Sequence, residues 1–228
     1  MIWWAAAVHT LTALGAVCAL GATLAIFNHS AEVMFGWLGA ALFIDGIDGV
    51  FARAIKVSER LPRFSGERLD LVVDYLTYVF VPVLALLNWH YLDGTFGLVL
   101  GALILLSSLY HFADLDSKAD DNSFVGFPAI WNIFAFYIFA LDVTRPVTAV
   151  LVMAAIALTF LPMLWVHPWR VIGLRPYAIA ASLLFAVAAC WVIATGFPAD
   201  REHSTILLSI AGLAIGLSVY RQWRGDNR

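Results

Sequence analysis

Phe43-Ile44-Asp45-Gly46-Ile47-Asp48-Gly49-Val50-Phe51-Ala52-Arg53, followed after a polar loop by Gly66-Glu67-Arg68-Leu69-Asp70-Leu71-Val72-Val73-Asp74, decides the reading of this chain. Both stretches belong to long apolar runs, and about 20 such residues suffice for a helix to cross a bilayer. Asp45 and Asp48 are three residues apart, and Asp70 and Asp74 are four apart. On helices each pair shares one face. A carboxylate within a span is costly and marks a functional site. Gly49 and Ala52 share the face of Asp45 and Asp48, and Gly66 lies one turn before Asp70. The spacing predicts two short acidic stripes, each flanked by very small residues, facing one another across a cleft.

The rest of the chain fits an all-α polytopic membrane protein. Of its 228 residues, 62% are hydrophobic and 13% charged, against about 45–50% and about 25% in soluble domains. Eight apolar segments are predicted to span, at roughly 5–27, 33–56, 67–89, 94–113, 126–142, 146–166, 177–197 and 203–221. The fifth is short, and the amphipathic stretch 114–125 is a candidate to extend it. Pro82 and Pro162 fall inside the third and sixth spans and are expected to kink them. Residues 1–228 read as one integral membrane domain. The first apolar run has no basic leader or cleavage site and reads as a retained span. Cys18 and Cys190 read as buried small residues. A net charge of −3 gives no reason to expect nucleic acid.

Eight spans place both termini on one side. Arg53, Lys56, Arg60, Arg63, Arg68, Lys118, Arg170, Arg175, Arg221, Arg224 and Arg228 fall on that side, and only Arg145 and Arg201 on the other. The positive-inside rule then makes the termini and the four aspartates cytoplasmic, in keeping with a bacterial inner membrane.

Four carboxylates so close need counter-charge. Two divalent cations, Mn²⁺ or Mg²⁺, would supply it, and a metal pair about 3.5–4 Å apart can clamp a phosphate. Gly49, Ala52 and Gly66 would let a nucleotide approach the backbone, and Arg53 could meet a diphosphate. The bland alternative is that the aspartates pair with Arg53, Arg63 and Arg68 or cap helices.

The spacing resembles the D-x-x-D-G-x-x-A-R and G-x-x-x-D-x-x-x-D signature of the CDP-alcohol phosphotransferase family. The gap between Arg53 and Gly66 is longer than is common there. The family's six-helix core would carry two further spans. A second layer of likeness covers Leu61–Phe64, Asp70–Pro82, Tyr110–Ala113 and Phe124–Asn132. It resembles the bacterial branch that condenses CDP-diacylglycerol with choline and releases CMP. The resemblance implies that Asp45, Asp48, Asp70 and Asp74 bind metal, with Asp74 also the general base for the acceptor hydroxyl. It implies that Gly49, Ala52, Arg53 and Gly66 receive CDP-diacylglycerol, with Thr12 beside them. His9 stands where the family has asparagine. A homodimer is expected from the resemblance alone.

Choline carries a quaternary ammonium, which aromatic faces hold by cation–π attraction. Tyr78, Tyr110 and Trp131, and more weakly Tyr75, are the candidates for such a cage. The acidic loop Asp114–Asp121 could draw a cation in. Against this, Arg170 and Arg175 could bind an acceptor phosphate. The alternatives are therefore serine, ethanolamine, glycerol phosphate or inositol as acceptor, and more remotely a cation transporter.

Overall fold

The computed structural model describes residues 2–167, 171 and 173–226; Arg170 and Arg228 lie outside the described residues. Helix α1 (Ile2–Phe27) turns through His29, at φ 50°, into α2 (Ala31–Ala54), and a short α3 (Val57–Arg60) follows. Next, α4 (Gly66–Asp74), a π-helical stretch (Tyr75–Phe80) and α5 (Val81–Asn88) form one continuous span. Then come α6 (Gly94–Ala113), α7 (Trp131–Ala140), α8 (Arg145–Thr159), α9 (Arg175–Thr195) and α10 (Arg201–Asp226). Among the described residues six helices, counting Gly66–Asn88 as one, are long and apolar enough to cross a membrane; α7 and α8 are shorter apolar helices. The chain is a polytopic helical membrane protein.

Its packing follows membrane logic. The interior is rich in alanine, with Ala19, Ala22, Ala25, Ala85, Ala135, Ala140 and Ala155 all buried. Large apolar side chains such as Leu24, Phe43, Leu106 and Val187 face outward. Lipid gives large apolar residues no reason to hide, whereas small ones let helix backbones approach. Phe35, Phe136, Phe139 and Phe197 pack ring against ring where α2, α7 and the turn before α10 meet.

Two predicted spans are corrected. Residues 114–125 do not extend the fifth. Asp114 accepts the Asp116 N–H, and Asp121 accepts the Ser123 N–H; such local side-chain bonds compete with helix. The loop ends in a strand β1 (Phe124–Val125), which pairs antiparallel with β2 (Leu164–Trp165). Pro162 does not kink α8 but lies beyond its end at Thr159, leaving 160–166 free to reach β2. Gly126 stands at φ 78°, and a Cβ there would come within 2.4 Å of the Thr159 carbonyl oxygen. Gly126→Ala therefore combines a disfavoured backbone with a backbone clash, and should cost about 2–4 kcal/mol. A lowered unfolding temperature in detergent would register it.

Side chains tie this end of the molecule together. Gln222 of α10 accepts the Leu164 N–H at 2.9 Å, Ser218 accepts the Val166 N–H, and Arg221 donates to Asp121. Burial would raise the Asp121 carboxyl, but hydrogen bonds from Arg221 and Ser123 outweigh it and hold it below the usual carboxylate range. The folded value is depressed, so the contact stabilises at neutral pH and is lost as pH falls through that value. At the opposite end, Arg145 pairs with Asp93 and Tyr91 donates to Asp142.

Candidate active site

The acid centre is built by α1, α2 and the span that begins with α4. Ser65 caps α4, accepting the Arg68 N–H at 3.2 Å. The helix thus starts with Gly66, one turn ahead of Asp70. α1 packs along both α2 and α4 and bridges them. One carboxylate oxygen from each of Asp45, Asp70 and Asp74 lies within 4.8 Å of the others. The three are half-buried. Hard oxygen donors in this number suit a divalent cation such as Mg²⁺ or Mn²⁺, and the donor set fits the ion that the sequence implies.

Asp48 lines the same cavity but is only 5% exposed, and it stands apart from the triad. Its Oδ2 accepts the Thr12 hydroxyl at 2.5 Å. Thr12 therefore joins the site through an aspartate, a link between residues 36 apart that spacing could not disclose. His9, one turn earlier on α1, lies against Gly66. A Cβ on Gly66 would sit 3.0 Å from His9 Cε1. Ala52 packs with Val8 and Val57 at the foot of α1 and α3. Arg53 is exposed in the last turn of α2. Arg53 and Arg68 enter no ion pair among the described residues, and Arg63 lies 5.8 Å from the Phe64 ring centroid.

The four aromatic candidates each have contacts of their own. Tyr78 reaches the centre, but through its hydroxyl, which donates to Asp45 Oδ2 at 2.7 Å. The π-helical turn helps to place it there: the Val81 N–H bonds back five residues to the Leu76 carbonyl. Pro82, just beyond, has no N–H for the Tyr78 carbonyl and would crowd it in a regular helix; wide turns of this kind recur at functional sites. Tyr75 donates to the Leu105 carbonyl and packs on Phe112. Tyr110 is 62% exposed and rests on Phe160. Trp131 is fully buried between Phe127 and Phe134, its indole N–H donating to Ser108. If Tyr78 orients a metal ligand, Tyr78→Phe should raise the divalent-metal requirement about tenfold and leave the KM for the acceptor little changed. The reverse pattern would return Tyr78 to the acceptor pocket.

Fold and site together define a polytopic membrane protein with an acidic, metal-competent centre near one end of its helices. Relatives narrow this class. The phosphatidylcholine synthase of Pseudomonas aeruginosa is 41% identical over 213 residues, 93% of this chain and 87% of that protein. That of Bradyrhizobium diazoefficiens is 41% identical over 211 residues, 92% and 78% respectively. That of Borreliella burgdorferi is 30% identical over 225 residues, 97% and 95%. No family model matches the chain. The chain belongs to the phosphatidylcholine synthase family. It is an enzyme, a membrane transferase of phospholipid biosynthesis.

Proposed function

We propose that the chain transfers the phosphatidyl group of CDP-diacylglycerol to choline and releases CMP. The meeting of three carboxylates at one end of a lipid-embedded bundle carries the reading. It suits a diphosphate whose acyl chains remain in the bilayer. The choline hydroxyl gives its proton to Asp74 while its oxygen attacks the lipid-side phosphorus. The phosphorus–oxygen bond to CMP breaks, and CMP leaves with that bond's electron pair. Asp45, Asp70 and Asp74 would hold a divalent ion, with Asp48 completing the set for a second once it gives up Thr12. Bound metal would supply positive charge against the phosphoryl oxygens. Gly49, Ala52, Arg53, Gly66 and Thr12 would surround the nucleotide. Tyr78 holds Asp45 in place, and Tyr75, Tyr110 and Trp131 remain the weaker choline contacts.

Residues 1–228 act as one domain, a homodimer by family likeness. The excess of Lys and Arg at the acid-bearing end supports a cytoplasmic side for that end and for both termini. The test supplies purified protein with CDP-diacylglycerol, Mn²⁺ and a panel of labelled alcohols, and identifies the lipid product. Phosphatidylcholine is expected. A product from serine or glycerol phosphate, with none from choline, would overturn the acceptor.

A further inference from the structure

The connection from α2 to α4 is basic and folded. Residues 53–68 carry five cations, Arg53, Lys56, Arg60, Arg63 and Arg68, against two acids, Glu59 and Glu67, an excess of three. The connection cannot neutralise itself, however its side chains pair. Lys56 meets Glu59 at 3.4 Å, and none of the four arginines enters an ion pair among the described residues.

Contacts fix the depth at which this charge is held. Val57 of α3 is 4% exposed and packs with Ala5 and Val8 of α1, with Ile55 and Leu61 over the same cluster. The Leu61 N–H donates to the Val57 carbonyl, and the Phe64 N–H to the Leu61 carbonyl. The docking point is thus the first two turns of a spanning helix, directly after the exposed Trp3 and Trp4. Tryptophans at the start of a span mark the headgroup level. Phe64 is exposed too, and the Arg63 guanidinium carbon lies 5.8 Å from its ring centroid. An aromatic ring beside a guanidinium suits that boundary, where acyl carbon meets phosphate. The positive-inside rule accounts for the sign of the charge. It gives no reason for the segment to pack onto α1 and to bare a ring beside its arginine.

We propose that Arg60, Arg63 and Phe64 form a docking surface for the headgroup of an anionic bilayer phospholipid of the phosphatidylglycerol kind. Its phosphate supplies negative charge that the connection lacks, and its acyl chains stay in the bilayer at the depth of Trp3 and Trp4. Arg60 and Arg63 belong to no part of the acid centre. The connection nevertheless joins the two acid-bearing helices, so a docked lipid stands at the rim of the cleft.

The test uses the full chain in detergent and titrates short-chain phosphatidylglycerol and phosphatidylcholine of equal chain length. Wild type should prefer phosphatidylglycerol, and the preference should fade as added salt screens the arginines. Arg60→Gln combined with Arg63→Gln should weaken phosphatidylglycerol binding about 25-fold, which is about fivefold per charge, and leave phosphatidylcholine binding unchanged. Arg60→Lys combined with Arg63→Lys should keep most of the affinity. Arg224→Gln, an equal loss of charge on α10, should have little effect. CMP with Mn²⁺ should not displace the lipid. Unchanged affinity in the double Gln variant would overturn the proposal. An equal loss in Arg224→Gln would do the same, by making the preference a matter of overall charge, and displacement by CMP would move the lipid to the acid centre. Should the double Gln variant unfold early, the wild-type salt titration and the double Lys variant decide instead: salt-independent binding, or affinity lost with lysine in a stable protein, overturns the proposal. No turnover is measured, so the outcome does not depend on which alcohol the enzyme accepts.

Discussion

Asp74→Asn is expected to lower CMP release by roughly 10²–10⁴-fold, the usual loss when a general base is removed. Asparagine matches the side chain in size and can still bond, but it cannot take the acceptor's proton. Three carboxylate oxygens lie within 4.8 Å of one another here, so removing one charge relieves repulsion in the metal-free protein. The variant should unfold at a temperature no lower than wild type and should still bind CDP-diacylglycerol. Lost turnover with intact stability and binding, and no recovery in excess metal, is the signature of a base. Near-normal turnover would remove Asp74 from that role, whereas lost lipid binding would assign it to the cradle.

The second large effect is expected at Asp45. It belongs to the triad and accepts the Tyr78 hydroxyl. Asp45→Asn should raise the Mn²⁺ concentration for half-maximal activity well beyond tenfold, the lower bound for loss of an outer-shell partner. Excess metal should restore part of the activity, because the phosphoryl chemistry is not routed through Asp45 itself. Activity indifferent to metal concentration in both proteins would argue against a metal role for the triad.

Much of this site was legible because helices repeat every three to four residues. Asp45 from α2 and Asp70 and Asp74 from α4 converge as their spacing implies. Apolar run length likewise gave the six long spans, α6 at its observed bounds. What local pattern could not supply was contact between distant residues. Phe124–Val125 and Leu164–Trp165 pair across a gap of some 40 residues, and that pairing keeps both neighbouring stretches from joining α7 and α8. Position along the chain makes Trp131 a cage candidate but does not disclose the Ser108 hydroxyl and two phenylalanine rings that hold it in the core. Asp48 has the same spacing credentials as its neighbours, but it accepts a hydroxyl from another helix. Tyr78 follows Asp74 by four residues, which on a regular helix is one turn, but the helix is not regular there.

That irregular turn has a consequence for how such a chain can diversify. A helix that spaces one turn at five residues carries, in effect, one inserted residue. Deleting one residue within Tyr75–Phe80 would therefore let the helix close to regular winding with Asp70, Asp74 and the side chains of α5 all keeping their facing. The wide turn lets the span bear one residue more than its end-to-end facing requires. A lineage could gain or lose that single codon, and with it the local aim of Tyr78 at Asp45, without re-aiming the aspartates or the packing face of α5.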